Sequence, residues 1–276
     1  MTEEEYSLLK ELVGREFGIQ LKGDKRLTLH TKVSHRLSIL GFATYREYYE
    51  FIVSDPTREE LFIFASHITN NETYFFREKP QLDLFSGLLH EIKIANQKQN
   101  RNTLRVLSLA SSSGEEAYSL NIIIQESGLF VWDWDIRTTG IDIDRNAIKK
   151  AREACYTKNS FRALNGSGYV DKYFSVDGDR YTLRRSLTAN VEFRHGNLLE
   201  SGSYEGLSQV DTIFCRNVLI YMSDEAIEKI VQNFYHCLSD TGYLFIGSSE
   251  SLIQKTNLFF PEYKDGVIVY RKNIKR

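Results

Sequence analysis

Residues 104–120 read LRVLSLASSSGEEAYSL, and this stretch decides the fold because it joins an apolar run, a loop of small residues and a helix start. The apolar run ends at Leu109 and has the length and composition of a strand buried on both faces of a parallel sheet. Small side chains at 111–114 let a ligand approach the backbone, and we expect Ser113 to cap the helix that follows. The stretch therefore predicts a cofactor site at this turn.

Two acids at the helix start narrow the class of cofactor. A helix N-terminus attracts anions, so a diphosphate would need free N–H groups there and no acid nearby. Glu115 and Glu116 already occupy that position, and the loop has one glycine in place of the G-x-G-x-x-G of dinucleotide-binding proteins. A positively charged cofactor without phosphate fits better, and S-adenosylmethionine has both properties. Because a strand, a glycine turn and a helix occur in many α/β proteins, this stretch alone does not fix a function.

A second strand end offers a place for the ribose of such a cofactor. Residues 138–144 read TTGIDID and are expected to form a strand that ends in an acid. We expect Asp144 to cap the helix of residues 145–155. Asp142 would then be free to accept both ribose hydroxyls of an adenosine.

Apolar runs alternate with helical patterns through the rest of the chain. Four more runs are each expected to form a strand, at 191–195, 210–215, 243–246 and 266–270. This alternation predicts an α/β fold with a doubly wound, Rossmann-like sheet whose ligand lies at the carboxyl ends of the strands. Residues 169–174 and 181–187 are predicted to pair as an antiparallel hairpin around 177–179, which forms a small β insertion.

The first 70 residues predict a small all-helical unit. Apolar residues recur there at helical spacing in four segments, and Thr2 with Glu5 forms a capping box before the first segment. Residues 22–46 contain a single acid, Asp24, and the basic residues Lys22, Lys25, Arg26, Lys32, Arg36 and Arg46. Such a local charge can bind an acidic partner surface or a polyanion, or it can be a solvated helix face.

Composition and charge argue against several function classes. The 276 residues are 42% hydrophobic and 26% charged, as in globular proteins, and a formal net charge of -2 gives no overall attraction to nucleic acid or lipid. No apolar run reaches the roughly 18 residues of a membrane span, and the acidic start MTEEEYSLLK lacks the features of a signal peptide. The three cysteines have no disulfide or metal-ligand spacing. We therefore expect a cytoplasmic monomer without metal, without membrane insertion and without nucleic-acid binding.

Four segments resemble the CheR family, the chemoreceptor glutamate methyltransferases of bacterial chemotaxis. NETYFFRE at 71–78 resembles the family's linker motif, and SSGEEAYSL at 112–120 resembles its first cofactor motif. GIDID at 140–144 resembles the ribose motif, and FCRNVLIY at 214–221 resembles the active-site motif. The segments match in order and spacing, so the resemblance covers nearly the whole chain. One departure is Ala117, where the family often has proline, and we expect it to have little effect on cofactor binding.

The resemblance implies S-adenosylmethionine as cofactor, S-adenosylhomocysteine as its product and a set of site residues. Arg77 and Tyr221 would flank the reacting methyl group. The residues implied to bind the cofactor are Asn71, Thr73, Arg77, Glu116, Asp142, Asn197, Leu198, Arg216 and Asn217. Lys32 and Arg36 are implied to dock the acidic helical bundle of a methyl-accepting chemoreceptor, which is the expected partner.

The resemblance also implies a division of the chain. Residues 1–70 would be a helical domain that docks on the receptor, and 71–103 would be a linker segment with a helix. Residues 104–276 would be the methyltransferase domain, with its β insertion at about 160–188.

Glutamate chemistry agrees with these residue types. A glutamate with a pKa of about 4.3 is already ionised at neutral pH, so its methylation by a sulfonium needs no general base. The reaction needs in-line approach and exclusion of water. An arginine can orient the carboxylate through two N–H donors, and a tyrosine can place its ring against the sulfonium or its hydroxyl against the acceptor.

Arg77 and Tyr221 also have purely structural explanations, and two other functions are compatible with the sequence. Without the resemblance, the favoured interpretation is that Arg77 is a surface residue paired with Glu72 or Glu78 and that Tyr221 is a core aromatic residue. A non-catalytic, cofactor-binding adaptor of a receptor complex is one other function, although the presence of both Arg77 and Tyr221 argues against it. A methyltransferase of another acceptor, such as a small acid or a nucleic acid, is a second.

Overall fold

A computed structural model of the chain describes residues 1–21, 23, 25–164 and 168–274. Lys22 and Asp24 of the basic stretch lie outside the described residues, as do residues 165–167 ahead of the predicted hairpin. Within the described ranges, no helix is both long and apolar enough to cross a membrane.

Helices and strands alternate along most of the chain. The helices are α1 (Glu3–Phe17), α2 (Arg26–Leu40), α3 (Tyr45–Ser54), α4 (Glu59–Ile68), α5 (Lys79–Lys98), α6 (Glu115–Ser127), α7 (Arg145–Glu153), α8 (Tyr169–Tyr173), α9 (Arg185–Thr188) and α10 (Asp224–Cys237). The strands are β1 (Thr103–Leu109), β2 (Asp135–Asp142), β3 (Cys155–Tyr156), β4 (Phe174–Asp177), β5 (Arg180–Leu183), β6 (Val191–His195), β7 (Val210–Cys215), β8 (Leu238–Ile246), β9 (Phe259–Lys264) and β10 (Val267–Lys272).

Helices α1 to α4 pack around a core of their own. Capping boxes begin α1 at Thr2 and α3 at Thr44, where each threonine hydroxyl accepts an N–H bond and a glutamate three residues later accepts the threonine N–H. The shared core includes side chains that are fully buried, among them Leu9, Val13, Val33, Tyr48 and Phe64. The predicted small helical unit at the N-terminus is confirmed.

Seven strands form one sheet in the order β6-β2-β1-β7-β8-β10-β9. The pairs from β6 to β8 are parallel, and β10 runs antiparallel to both of its neighbours. Helices α5, α6 and α7 pack on one face and α10 on the other, which confirms the predicted doubly wound α/β fold. Chain order reverses at β1, which pairs with β2 and β7, so the crevice beyond its carboxyl end is the expected ligand site.

A small antiparallel sheet of β3, β5 and β4 is inserted between α7 and β6. Strands β4 and β5 pair through Asp177 and Arg180, so the predicted hairpin turn is confirmed. The prediction of a strand at 169–174 was wrong, because Tyr169–Tyr173 form helix α8. The predicted strand at 181–187 was too long, because β5 ends at Leu183 and Arg185–Thr188 form helix α9. Helical spacing places Tyr169 and Tyr173 on one face, and the Tyr169 ring stacks on Phe76 with 5.0 Å between centroids.

Strand β9 has no counterpart in the sequence prediction. The segment contains Pro261. Because proline has no backbone N–H to donate to a neighbouring strand, its presence argues against a strand in the sequence. Among the described strands β9 pairs with β10 alone and forms the edge of the sheet, where a proline is tolerated.

Candidate active site

A cavity of about 560 Å³ lies beyond the carboxyl ends of β1, β2 and β7, against residues of α1, α2 and the segment between α4 and α5. Its volume falls within the range of about 300–1,000 Å³ found for small-molecule sites. Every residue predicted to bind the cofactor lines this cavity, namely Asn71, Thr73, Arg77, Glu116, Asp142, Asn197, Leu198, Arg216 and Asn217. Tyr221 and Lys32 line it as well, whereas Arg36 is not among the lining residues.

The turn between β1 and α6 is built around Gly114. This residue is the N-cap of α6 and has a φ of 91°, a left-handed conformation that glycine adopts without strain. A Cβ atom there would lie 2.8 Å from the Phe193 ring and 2.9 Å from the Ala151 methyl group. The prediction that Ser113 caps α6 was wrong, because Ser113 precedes the cap position and its hydroxyl donates to the Glu115 carboxylate at 2.8 Å.

Asp142 ends β2 and is the acid that faces the cavity. Its Oδ2 accepts the N–H of Ser112 at 2.7 Å, and its Oδ1 accepts the N–H of Asp144 at 2.8 Å. Burial raises the pKa of Asp142 from 3.8 to about 6, although these two N–H donors act to lower it. Asp144 caps α7 through the N–H groups of Asn146 and Ala147, as predicted.

Arg216 follows β7 and forms an ion pair with Glu116 of α6. The Arg216 Nε lies 2.7 Å from Glu116 Oε2, and the two side chains are only 2% and 13% exposed. The hydroxyl of Ser108 donates to the other Glu116 oxygen at 2.7 Å, and Arg216 Nη1 donates to the carbonyl oxygen of Arg77 at 3.0 Å. The pair therefore joins the loop after β7 to the start of α6 and to the linker segment.

The side chain of the cavity residue Arg77 forms no ion pair with a carboxylate among the described residues. Its Nη1 donates to the backbone carbonyl oxygen of Glu72 at 2.8 Å. The Glu78 carboxylate accepts instead from the Asn217 amide, and the Glu72 carboxylate pairs with Arg162. Both acids that the sequence offered as partners of Arg77 are thus engaged elsewhere.

Two carboxylates hold the loop that leads from β7 to Tyr221. Glu250 accepts the backbone N–H of Asn217 at 3.0 Å and that of Ile220 at 3.2 Å. Burial raises the pKa of Glu250, and the N–H donors partly oppose this effect. Asn217 has a left-handed backbone with a φ of 58°, and its side-chain amide donates to Glu78 at 2.8 Å.

Tyr221 is 42% exposed and lines the cavity, so it is not a core aromatic residue. Its carbonyl oxygen accepts the N–H of Gln20 at 2.7 Å, and Ile19 pairs with Met222 in an antiparallel bridge. The chain between α1 and α2 therefore runs alongside the loop that carries Tyr221.

Residues after β6 complete one wall of the cavity. The Asn197 amide donates to the carbonyl oxygen of Glu16 at 2.7 Å, which joins this wall to α1. Leu198 is buried and supplies apolar surface. Asn71 reaches the same side from the linker and donates to the Asp144 carboxylate at 2.5 Å.

The two predicted docking residues have different surroundings. Lys32 lines the cavity, and its Nζ donates to the carbonyl oxygens of Ile68 at 3.2 Å and Thr69 at 3.4 Å. Burial lowers the pKa of Lys32. Arg36 instead donates two bonds, of 2.8 and 2.5 Å, to the buried Glu60 carboxylate. Its charge is therefore compensated inside the helical unit, whereas Lys32 faces the cavity.

The donors and acceptors of the cavity fit the cofactor that the sequence predicts. Asp142 and Glu116 present carboxylates, and two acids at the start of α6 make phosphate unfavourable there. Ser111 is among the residues that line the cavity, but its hydroxyl oxygen is buried and has no hydrogen-bond partner in the described part of the chain. Asp142 forms no ion pair among the described residues, so its carboxylate suits a cationic ligand that carries hydroxyl groups, such as S-adenosylmethionine.

Two residues of this site were not identified from the sequence. Ser111 lies in the loop of small residues, which predicted only that a ligand can approach the backbone. Glu250 follows β8 in the segment SSESL, 248–252. An acid just after a strand, at the edge of the sheet where ligands bind, is the signal that identifies such a residue.

Comparison with known proteins gives two family matches along the chain. Residues 4–69 match the CheR methyltransferase all-alpha domain, and residues 71–265 match the CheR methyltransferase SAM binding domain.

Full-length relatives are similar over most of their length. Chemotaxis protein methyltransferase 2 of Vibrio cholerae is 30% identical over 261 residues, which cover 94% of this chain and 89% of that protein. The chemotaxis protein methyltransferase of Borreliella burgdorferi is 29% identical over 264 residues, with 94% and 92% covered. A solved methyltransferase domain of bacterial CtHen1-C is 11% identical with a TM-score of 0.35, over 60% of this chain and 63% of that one. From the two family matches and the relatives from Vibrio cholerae and Borreliella burgdorferi, the chain belongs to the CheR family of S-adenosylmethionine-dependent methyltransferases.

Proposed function

We propose that this protein transfers the methyl group of S-adenosylmethionine to glutamate side-chain carboxylates of chemoreceptors and so forms glutamate methyl esters. The observation that carries the proposal is the Arg77 guanidinium, which lines the cavity without a carboxylate partner among the described residues. Such a group is suited to bind a carboxylate of the acceptor. The other arginine of the cavity, Arg216, is already neutralised by Glu116.

The proposed reaction needs orientation more than proton transfer. The acceptor glutamate, with a pKa of about 4.3, is ionised at neutral pH and is itself the nucleophile. When bound, S-adenosylmethionine supplies a methyl group on a positively charged sulfur. Arg77 would orient the attacking carboxylate oxygen through charge-assisted N–H bonds, each worth about 1.5–3 kcal/mol. The fixed direction of these bonds favours in-line approach.

Tyr221 is the second residue that we assign to the reacting group. Tyr221 lines the cavity and is partly exposed. Against a sulfonium the ring would contribute roughly 0.5–2 kcal/mol, or its hydroxyl would fix the acceptor. The bridge between Ile19 and Met222 keeps the helical unit beside the loop, where it helps to exclude water from the methyl transfer.

An acidic acceptor agrees with the charge of the cavity. Lys25 and Lys32 line it from the helical unit, and Arg77 lines it from the linker segment. We assign receptor docking to the face that presents Lys32, and Arg36 would act there by stabilising the helical unit. The relatives from Vibrio cholerae and Borreliella burgdorferi are named chemotaxis protein methyltransferases, which supports chemoreceptors as the acceptor. We infer that a monomer acts on the cytoplasmic part of these receptors.

The test is transfer of labelled methyl from S-adenosylmethionine to receptor-containing membranes of the same organism. Methyl esters release methanol in base, so the volatile label measures carboxyl methylation. Arg77→Ala is compared with wild type, and Arg137→Ala, an exposed arginine of β2, is the matched control. We expect methanol from wild type and from the control, and its loss with Arg77→Ala.

Two outcomes would contradict the proposal. No label despite measurable cofactor binding would favour a cofactor-binding adaptor without turnover. Label that is stable in base would indicate a different acceptor group, such as an amine.

A further inference from the structure

Two guanidinium groups lie near the Tyr74 ring. The Arg162 guanidinium carbon is 3.9 Å from the centroid of the Tyr74 ring, and that of Arg77 is 5.8 Å away. Arg77 lines the cavity, whereas Arg162 follows the short 3-10 helix Lys158–Phe161 of the β insertion. One aromatic ring thus brings an arginine of the insertion next to an arginine of the proposed active site.

Glu72 bonds to both arginines through different groups. Its backbone carbonyl oxygen accepts from Arg77 Nη1 at 2.8 Å, and its carboxylate accepts from Arg162 Nη2 at 2.7 Å. The bond to the Glu72 carbonyl oxygen holds the Arg77 guanidinium close to the Glu72 backbone, so a different rotamer of the Glu72 side chain can place the carboxylate near this guanidinium. A carboxylate there would neutralise the charge that we assign to the acceptor.

The backbone that carries Arg162 is fixed against this segment. The N–H of Phe75 donates to the carbonyl oxygen of Ser160 at 2.9 Å. The rings of Phe75 and Phe161 are buried and stack with 5.1 Å between centroids. Arg162 therefore approaches Glu72 from a well-packed position, although its own side chain is 35% exposed.

We propose that Arg162 is a positioning residue that holds the Glu72 carboxylate away from Arg77 and so keeps the Arg77 guanidinium available to the acceptor. The inference rests on the proposed function, because that function assigns Arg77 to the acceptor carboxylate. Arginine suits this role since its edge binds a carboxylate while its face lies on the tyrosine ring. The Glu72 side chain is 63% exposed, so the ion pair is screened and its effect is modest.

The test uses the full chain as wild type, Arg162→Gln, Glu72→Gln and the double variant. The acceptor is receptor-containing membranes of the same organism, and cofactor affinity is measured by calorimetry. Arg162→Gln should raise the KM for the acceptor about two- to fivefold, the range expected for an exposed ion pair, with kcat and cofactor affinity unchanged. Glu72→Gln should not raise the KM, and the double variant should return to the KM of Glu72→Gln. Arg162→Lys keeps the charge and should recover part of the loss.

A double variant that keeps the raised KM would overturn the inference, because Arg162 would then act independently of Glu72. An unchanged KM in Arg162→Gln would overturn it too. Absence of methyl transfer by wild type, or full activity of Arg77→Ala, would instead count against the proposed function.

If the proposed function fails in this way, a crystal structure of the Arg162→Gln protein tests the inference about Arg162. The Glu72 carboxylate must lie within hydrogen-bonding distance of the Arg77 guanidinium, and a carboxylate that stays away from it would overturn the inference.

Discussion

Replacing Glu250 by glutamine disturbs the loop between β7 and the short helix Leu219–Tyr221. The Glu250 carboxylate accepts backbone N–H bonds from Gly247 at 2.6 Å and Asn217 at 3.0 Å through Oε2, and from Ile220 at 3.2 Å through Oε1. Glutamine keeps one oxygen and puts an NH₂ group where the second oxygen was. At least one backbone N–H then faces another donor, and the loop shifts to relieve this contact.

The structure sets the size of the expected effects. An unsatisfied N–H costs about 1–3 kcal/mol when it is buried. The bond from Ile220 is exposed, those from Asn217 and Gly247 are partly buried, and loss of the carboxylate charge offsets part of the cost, so we expect the free energy of unfolding to fall by about 1 kcal/mol. A 1 Å displacement of a reacting group can reduce turnover about 100-fold, and glutamine retains part of the contact, so we expect kcat to fall about tenfold.

Urea unfolding measures the first effect, and methyl transfer at saturating cofactor measures the second. Glu228→Gln is the matched control, because Glu228 is an exposed glutamate on α10. Both variants must be assayed where they are fully folded. A kcat for Glu250→Gln equal to that of Glu228→Gln would refute the conclusion that Glu250 positions the loop.

Three further perturbations test other parts of the site. Arg216→Ala leaves the Glu116 carboxylate without its cation and should lower the free energy of unfolding by about 3–5 kcal/mol. The double variant Arg216→Ala/Glu116→Gln should recover part of this loss. A decrease of less than about 1 kcal/mol in the free energy of unfolding, measured with urea, would contradict this expectation. Because burial raises the pKa of Asp142 to about 6, cofactor affinity measured by calorimetry should decline as the pH falls below 6 and approach a tenfold loss per pH unit. In the protein without cofactor, the raised pKa of Asp142 makes folding stability change with pH in the opposite direction. The contribution of Asp142 to the free energy of unfolding is fully present below pH 3.8 and is lost as the pH rises through about 6. Asp142→Asn should abolish the pH dependence of cofactor binding, and a persistent dependence would assign it to another group. Gly114→Ala should lower the free energy of unfolding by roughly 1–3 kcal/mol, because its φ of 91° and close neighbours exclude a Cβ atom, whereas Gly87→Ala, with open space around it, should not destabilise the chain.

Local signals in the sequence were enough to predict the main architecture. Strand β1, the glycine turn and helix α6 follow from an apolar run, a residue without Cβ and two acids in order. Because the carboxyl ends of parallel strands meet at one edge of a sheet, separate segments after β1, β2 and β7 could be expected to form one cavity. Strand β9 could not be predicted, since its proline is tolerated only at a sheet edge.

Tertiary contacts determine which of the charged side chains in the site are already paired. Lys32 and Arg36 are one helical turn apart and equal as charges, but Glu60 on α4 pairs with Arg36 alone. Arg77 has acids at Glu72 and Glu78 close in sequence, and partners far along the chain engage both carboxylates. Charge pairing between distant segments leaves no periodic signal, so spacing alone cannot assign such residues.

We infer that the acceptor is a glutamate carboxylate bound by Arg77. This inference is tested by peptide mapping with mass spectrometry, after incubation of receptor-containing membranes with the wild-type protein and S-adenosylmethionine. We expect methyl esters on glutamate side chains of the cytoplasmic receptor helices, and none of them with Arg77→Ala. Methyl groups on lysine, arginine or cysteine side chains, or glutamate esters that form equally with Arg77→Ala, would contradict it.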